Sequence, residues 1–292
     1  MSARHDPAPP PARARDAHKA SVGRVLVVGG SPGMAGAPFL AAWGALRAGA
    51  GLVRVATPAT VAPIVAGYAP EVMVLSLPVL GEGGLDPSAR TPLLEACMAS
   101  DAVVMGPGAG RHEATRGVLM EVARHGEVAL VLDADALFGA VARVRRQRGS
   151  DAPVVLTPHE GEAARLLDVQ PEAVRADRLE SARRLAQQAQ ATVVLKGPGT
   201  VVVPAPAQGG EAWTCTHGGP VLATGGTGDV LAGVLGALLA AGPDNPFLAA
   251  CRAVAWHARA GDLLAREQGV DRGLVAHEVA DALPRALAAW RA

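Results

Sequence analysis

Lysine is almost missing from this sequence of 292 residues. Only Lys19 and Lys196 occur, so the other positive charges are arginines and Lys196 becomes conspicuous. Aromatic residues make up 3% of the chain, too few for the stacking platforms that bind single-stranded nucleic acid. An excess of charge of one sign is missing as well. The 27 basic side chains balance 27 acidic ones, so no overall basic field draws the chain onto phosphate backbones or anionic membranes. Cysteine is scarce: Cys97, Cys215 and Cys251 are odd in number, far apart and without CxxC spacing. That excludes a disulfide framework, fits a reducing compartment, and leaves the cysteines as small buried apolar residues. Long hydrophobic runs are lacking too. The most apolar one, Val230 to Ala241, falls short of the roughly 18 residues that suggest a membrane span and reads as a buried helix. The first twenty residues, MSARHDPAPPPARARDAHKA, have no apolar h-region and are expected to be a disordered tail rather than a secretory signal. A cytoplasmic protein is the expectation, with neither nucleic acid nor membrane as a partner.

What is present is a chain half hydrophobic and rich in alanine and glycine. At this length it buries about three quarters of its unfolded surface, enough for a full core without a staple. After the tail, short apolar runs alternate with longer Ala-rich ones. Val25 to Val28, Leu52 to Ala56, Val72 to Leu75, Ala102 to Met105, Ala129 to Leu132, Val154 to Leu156 and Thr192 to Leu195 read as strands. Most are continuous apolar runs, which suits parallel strands covered on both faces. Ala37 to Ala48, Ala114 to His125, Glu160 to Leu167 and Pro171 to Ala191 read as helices, and the last fifty residues are helical. Thr200 to Val203 and Ala212 to Thr216 can form an added antiparallel pair. The alternation predicts a three-layer αβα sandwich with a mostly parallel central sheet. Residues 21–292 are expected to form one domain, without a separate lid.

Ligands of open α/β sheets bind outside the carboxyl ends of the strands, so the segments after the strands carry the chemistry. GGSPGMAGAP, from Gly29, fits neither GxGxxG nor a Walker A loop. It is either a tight turn or a place where small residues such as Gly36 and Ala37 let a ligand approach the backbone. GPGAG, Gly106 to Gly110, reverses the chain or admits a ligand. Asp133 and Asp135 of LDADAL can hold metal or substrate, or cap a helix. In TPHEGE, Thr157 to Glu162, His159 can touch substrate and Glu160 can order water on a magnesium ion. The helix macrodipole alone also favours such acids, Glu162 above all. ATGGTGDVLAG, from Ala223, is the most specific segment. Its glycine-rich turn lines up backbone N–H groups at a helix start, an anion site of the kind that phosphoryl transfer uses. Asp229 at its edge is placed to take a proton from an attacking hydroxyl, or else caps the helix. Lys196 begins KGPGT, which either lies along a nucleotide phosphate or ribose or is a surface lysine before a hairpin.

In this order GGSPGMAGAP, GPGAG, LDADAL, TPHEGEA, LKGPGT and LATGGTGDVLAG resemble the ribokinase-like superfamily, and within it the ADP-dependent NAD(P)H-hydrate dehydratase family. The resemblance runs from about Gly23 to Ala282. It implies ADP-driven dehydration of the S-epimer of hydrated NADH or NADPH, with release of AMP and phosphate. It further implies that Ala37, Gly108, His159 and Asp229 contact the hydrated dinucleotide, and that Lys196, Gly197, Pro198, Gly199, Thr200 and Gly228 hold the adenine nucleotide. Asp229 would be the base, with the amides of Gly226, Thr227 and Gly228 stabilising the transferred phosphoryl group. Magnesium is implied, reached through water by Glu160, as is a homo-oligomer, often a tetramer. A separate chain would supply the epimerase that some relatives carry fused. Two positions depart from the pattern: Gly219 replaces an Asn common before LATGGTGD, and Thr157 replaces the first residue of the NxxE motif. The alternative is an ATP-dependent kinase of a vitamin precursor or sugar alcohol. Thiazole- or pyrimidine-type kinases tend to carry Cys where this chain has Asp229. Sugar kinases usually insert an early lid, for which Val28 to Leu52 leaves little room. A nucleotide-binding regulator without turnover is a further alternative, opposed by the presence of both Asp229 and Lys196.

Overall fold

The computed structural model describes residues 6–81, 83–138, 150–242 and 245–292. In chain order the elements are β1 (Arg24–Val28), α1 (Gly36–Arg47), β2 (Leu52–Pro58), α2 (Ala62–Ala66), β3 (Met73–Leu77) and the small hairpin of β4 (Val79–Leu80) and β5 (Gly84–Leu85). Then follow α3 (Arg90–Met98), β6 (Ala102–Met105), α4 (Glu113–His125), β7 (Ala129–Leu132), β8 (Val154–Leu156), α5 (Glu160–Leu167), α6 (Pro171–Ala176) and α7 (Arg178–Ala189). The chain closes with β9 (Thr192–Leu195), β10 (Val201–Val203), β11 (Trp213–Thr214), α8 (Thr227–Ala240), α9 (Pro246–Gln268) and α10 (Ala276–Arg291).

Nine strands form one sheet in the order β11-β10-β9-β8-β7-β6-β1-β2-β3. It is parallel from β3 to β9, and β10 and β11 add the antiparallel pair at one edge. Successive residues of a strand face opposite sides. Thus Val25 and Val27 join the core under α1, α8, α9 and α10, while Leu26 and Val28 join the one under α3, α4, α5 and α7. This is the expected three-layer arrangement. The long helix expected from Pro171 to Ala191 is instead two, because Asp177 leaves helical geometry and caps the second with a bond from the Glu180 N–H, 2.9 Å.

Two features of this fold position the site. The chain winds outward from β1 through β2 to β3, then returns to β6 on the other side of β1. The strand order therefore reverses between β1 and β6, where open α/β sheets bind ligands. The second feature is the contact of α1 with α8. A Cβ on Gly233 would lie 1.9 Å from the Ala41 carbonyl oxygen, and one on Gly44 2.5 Å from that of Val230. Only glycine permits so close an approach, and it fixes where the first turn of α8 stands above the sheet.

Residues 6–20 hold no helix or strand, yet they lie along the body. Asp6 accepts from Arg259 at 2.6 Å and pairs with His217, and Arg291 donates to the Pro10 carbonyl at 2.7 Å. The reading of residues 1–20 as disordered did not include these partners, which come from more than 200 residues away in sequence. Among the described residues no helix is long and apolar enough to cross a membrane.

Candidate active site

The segments after β1, β6, β7, β8 and β9 meet at the carboxyl edge of the sheet, with the start of α8 above them. The β1 and β6 loops lie against each other. Gly30 N–H donates to the Pro107 carbonyl at 2.9 Å, and the Ser31 hydroxyl donates to the Gly108 carbonyl at 2.9 Å. A Cβ on Gly108 would come 3.0 Å from the Ala37 Cβ, so two residues expected to touch one substrate are neighbours. Both border the reversal point of the strand order.

Helix α8 begins at Thr227, three residues earlier than the apolar run suggests, so Asp229 lies within its first turn. Gly226 turns the chain at φ +92°, a left-handed conformation suited to glycine. The Thr227 hydroxyl pins the turn by donating to the carbonyls of Leu222 and Thr224, both at 2.9 Å. Among the described residues, the amides of Gly226 and Gly228 find no protein acceptor. Amides in this position, with the helix dipole behind them, form an anion site.

Facing this turn is a cluster that local sequence did not announce. Asp133, 1% exposed, receives Lys196 Nζ at 2.6 Å and the Thr157 hydroxyl at 2.8 Å on the same oxygen. Lys196 is therefore not a surface lysine. Its side chain is 18% exposed, and a Cβ on Gly228 would lie 3.4 Å from Nζ. Asp133 occupies the cap position of a short 3-10 turn but caps nothing; its carboxylate serves the lysine. Burial works to lower the Lys196 pKa, but the charges of Asp133, Glu162 and Asp229 outweigh it and hold the ammonium above its ordinary value. Asp229 moves the opposite way to most paired acids. Burial, then repulsion from Asp133, pushes its carboxyl up to about 7 against the pull of Lys196. A carboxylate near that value can take a proton at neutral pH.

The remaining expected residues fall into place around this centre. Strands β8 and β9 extend far enough to set His159 beside Lys196 in an isolated parallel bridge, with Lys196 N–H donating to the Pro158 carbonyl at 2.8 Å. His159 caps α5: Nδ1 accepts from the N–H groups of Gly161 and Glu162, while Glu162 accepts from the His159 N–H at 2.8 Å. Its outer nitrogen, Nε2, lies on the exposed edge of the ring, 3.4 Å from a Glu162 oxygen. Asp135 binds the Gly110 N–H at 2.9 Å and so ties the β7 and β6 loops together. The loop from Lys196 through Gly197, Pro198 and Gly199 to Thr200 joins β9 to β10 at the same edge, closed by a Thr200 hydroxyl bond to the Gly197 carbonyl, 3.0 Å.

Glu160, expected to order water on magnesium, is held by Arg175 at 3.0 Å and by Arg178, each guanidinium on a different oxygen. His257 of α9 was not anticipated. It is buried against the Thr227 backbone, and burial pushes its imidazole down to about 4, so it is neutral behind the anion site. Its sequence setting within a long Ala-rich helix carried no signal of this.

Comparison with known proteins agrees with the geometry. The family model for NAD(P)H-hydrate dehydratase matches residues 25–285. The bifunctional NAD(P)H-hydrate repair enzyme of Moorella thermoacetica is 42% identical over 277 residues, covering 95% of this chain and 51% of that one. The chain thus spans about half the length of that relative. The ADP-dependent (S)-NAD(P)H-hydrate dehydratase of Neisseria meningitidis is 38% identical over 93% of this chain and 87% of its own. Among solved structures, the ADP/ATP-dependent NAD(P)H-hydrate dehydratase of Bacillus subtilis, co-crystallised with ATP/Mg2+, superposes with a TM-score of 0.80. It is 29% identical, covering 97% of this chain and 95% of that one. With its ribokinase-like sheet, its anion turn at α8 and these relatives, the chain belongs to the NAD(P)H-hydrate dehydratase family.

Proposed function

We propose that this protein dehydrates the S-epimer of hydrated NADH or NADPH at the expense of ADP, returning the dihydronicotinamide and releasing AMP and phosphate. The observation that carries the reading is Asp229, a carboxyl pushed up to about 7, in the first turn of α8 beside unpartnered glycine amides and Lys196. Asp229 takes the proton of the ring hydroxyl, whose oxygen attacks the terminal phosphorus of ADP; the bond to AMP breaks. The amides of Gly226, Thr227 and Gly228 stabilise the charge on the transferred group. Loss of phosphate from the ring carbon, with loss of the neighbouring proton, restores the double bond. Lys196, Gly197, Pro198, Gly199, Thr200 and Gly228 hold the nucleotide, and Ala37, Gly108, His159 and Asp229 hold the substrate.

Magnesium fits this site as a partner of phosphate rather than of a protein cage. Among the described residues no three His, Cys, Asp or Glu side chains gather to hold a metal, and magnesium at phosphates keeps most of its water. When bound it would neutralise charge between the phosphates. Glu160, both of whose oxygens already receive guanidinium groups, would reach it only through water. The reading includes a cytoplasmic location, an epimerase as functional partner, and assembly into a homo-oligomer, as a tetramer. In support of assembly, Ile64, Tyr68 and Met73 expose large apolar surfaces around α2 and β3.

The test is to mix the protein with chemically hydrated NADPH, magnesium and ADP or ATP, and to follow the near-ultraviolet absorbance of the dihydronicotinamide. Recovery with ADP is expected. Absence of recovery with either nucleotide, together with phosphorylation of a thiazole or sugar alcohol, would overturn the reading in favour of a kinase.

A further inference from the structure

Beside the β6 and β7 loops three arginines converge on one ring. The guanidinium carbons of Arg111, Arg116 and Arg165 lie 4.7, 5.3 and 4.5 Å from the centroid of Phe138. Cation–π attraction places each of them. It does not remove their mutual repulsion, and one carboxylate, Asp135 at 3.6 Å from Arg111, is the only acid paired with any of the three among the described residues. The helix geometry sharpens the imbalance. Arg111 precedes the His112 cap of α4 and Arg116 stands one turn inside, so two cations sit at the positive end of a helix dipole, where anions are favoured. The arginines are exposed and free to close on a ligand.

Their position relative to the active site is fixed by contacts already described. Arg111 follows Gly110, whose N–H is held by Asp135, and the charge of Asp135 is felt by Asp229. Arg165 lies on α5, the helix that His159 caps. The cluster is thus an outward continuation of the loops that carry Gly108 and His159. We propose that Arg111, Arg116 and Arg165 form the subsite for the 2′-phosphate of the substrate's adenosine ribose, the group that distinguishes NADPH hydrate from NADH hydrate. A phosphate monoester carries close to two negative charges, and planar guanidinium forks match its oxygens. Phe138 holds the forks in place and leaves their edges for the phosphate.

This inference rests on the dehydratase reading, and the experiment separates the two. Both hydrates are assayed with ADP, using the wild-type chain and the double variant Arg116→Gln with Arg165→Gln. The wild type is expected to prefer NADPH hydrate, and the ratio of the two kcat/KM values should fall at least about tenfold in the variant. Arg116→Lys with Arg165→Lys should retain part of the preference, since charge stays while the forks are lost. Calorimetry with ADP held at saturation supplies a second readout. Adenosine 2′,5′-bisphosphate should lose at least about tenfold in affinity in the Gln variant, whereas 5′-AMP should not change. Turnover of both hydrates with an unchanged ratio overturns the subsite alone. Equal loss on both hydrates assigns the cluster to the shared diphosphate and also overturns it. No turnover of either hydrate by the wild type overturns the dehydratase reading and the subsite with it.

Discussion

At the start of α8 the chain supplies unpartnered amides and a carboxylate within four consecutive residues, Gly226 to Asp229, whereas the cluster facing it draws Asp133, Thr157, Glu162 and Lys196 from the segments around three strand ends. The first region is local. Its geometry follows from a glycine turn feeding an apolar helix, and its preference for anions follows from backbone dipoles. The second is assembled by the sheet. Lys196 and Asp133 are 63 residues apart in sequence and meet because β7, β8 and β9 are adjacent and parallel. The local half supplies an anion site, and the assembled half sets the charge state of the carboxyl beside it, the proposed base. Repulsion from Asp133 and attraction to Lys196 act on Asp229 in opposite directions, and burial decides the outcome.

Substitutions can separate these contributions. The largest effect is expected of Asp229→Asn, which removes the proposed base and leaves the amides intact. Turnover should fall about 10²- to 10⁴-fold while calorimetry shows nucleotide binding largely retained. Near-normal turnover would show that the local half does not supply the base. Acidification is the next probe. Since the Asp229 carboxyl sits at about 7, the basic form fills as pH rises through that value. The rate of hydrate turnover should climb with it and fall about fiftyfold from pH 7 to pH 5, once corrections for folding are made. Stability changes in the opposite sense. A carboxyl raised above its unfolded value of 3.8 stabilises fully below that value, and this contribution is lost as pH rises through about 7. Asp229→Asn should therefore melt higher than the wild type near pH 8.

A smaller change tests the assembled half. Lys196→Ala should weaken ADP binding about tenfold and cost about 3 kcal/mol of stability, because it strands the Asp133 carboxylate in the interior. Adding Asp133→Asn should recover part of that stability but not the ADP affinity. Full recovery of both would mean that the lysine serves only its buried partner. The smallest effect is expected of His159→Ala. Loss of the α5 cap should cost about 1 kcal/mol in denaturant titrations. If the exposed edge of the ring also meets the substrate, KM should rise with little change in ADP affinity.

Most strands were legible because each is a short apolar run bounded by glycine, proline or charge. Ala102–Met105, Ala129–Leu132, Val154–Leu156 and Thr192–Leu195 coincide with the runs read from sequence. The helix α3 and the small β4–β5 hairpin were not anticipated. The apolar pattern of Arg90–Met98 is interrupted by Arg90, Thr91 and Glu95, and two-residue strands leave no periodicity to read. The six motifs read from sequence fall on loops that gather at one edge of the sheet, and several of their side chains have partners that the motifs did not announce. His159 caps as well as faces the site, Asp133 holds a lysine, and Glu160 holds two arginines. Each of these roles depends on a partner at least 15 residues away or on a helix end whose position must first be known.

By itself the sequence determined the layered fold, the loops that carry the candidate site and the identity of the acid at the start of α8. Hydrophobic periodicity and glycine-rich turns act over a few residues and can be read one segment at a time. The tertiary structure decided what that acid can do. Its carboxyl reaches about 7 only because burial and three further carboxylates, Asp133, Glu162 and Asp135, surround it with Lys196 as their counterweight. The pairing of Lys196 with Asp133 and the gathering of three arginines on Phe138 are likewise properties of adjacent strand ends. Electrostatic interactions depend on distance and burial in space, and neither quantity exists until the sheet has brought remote segments together.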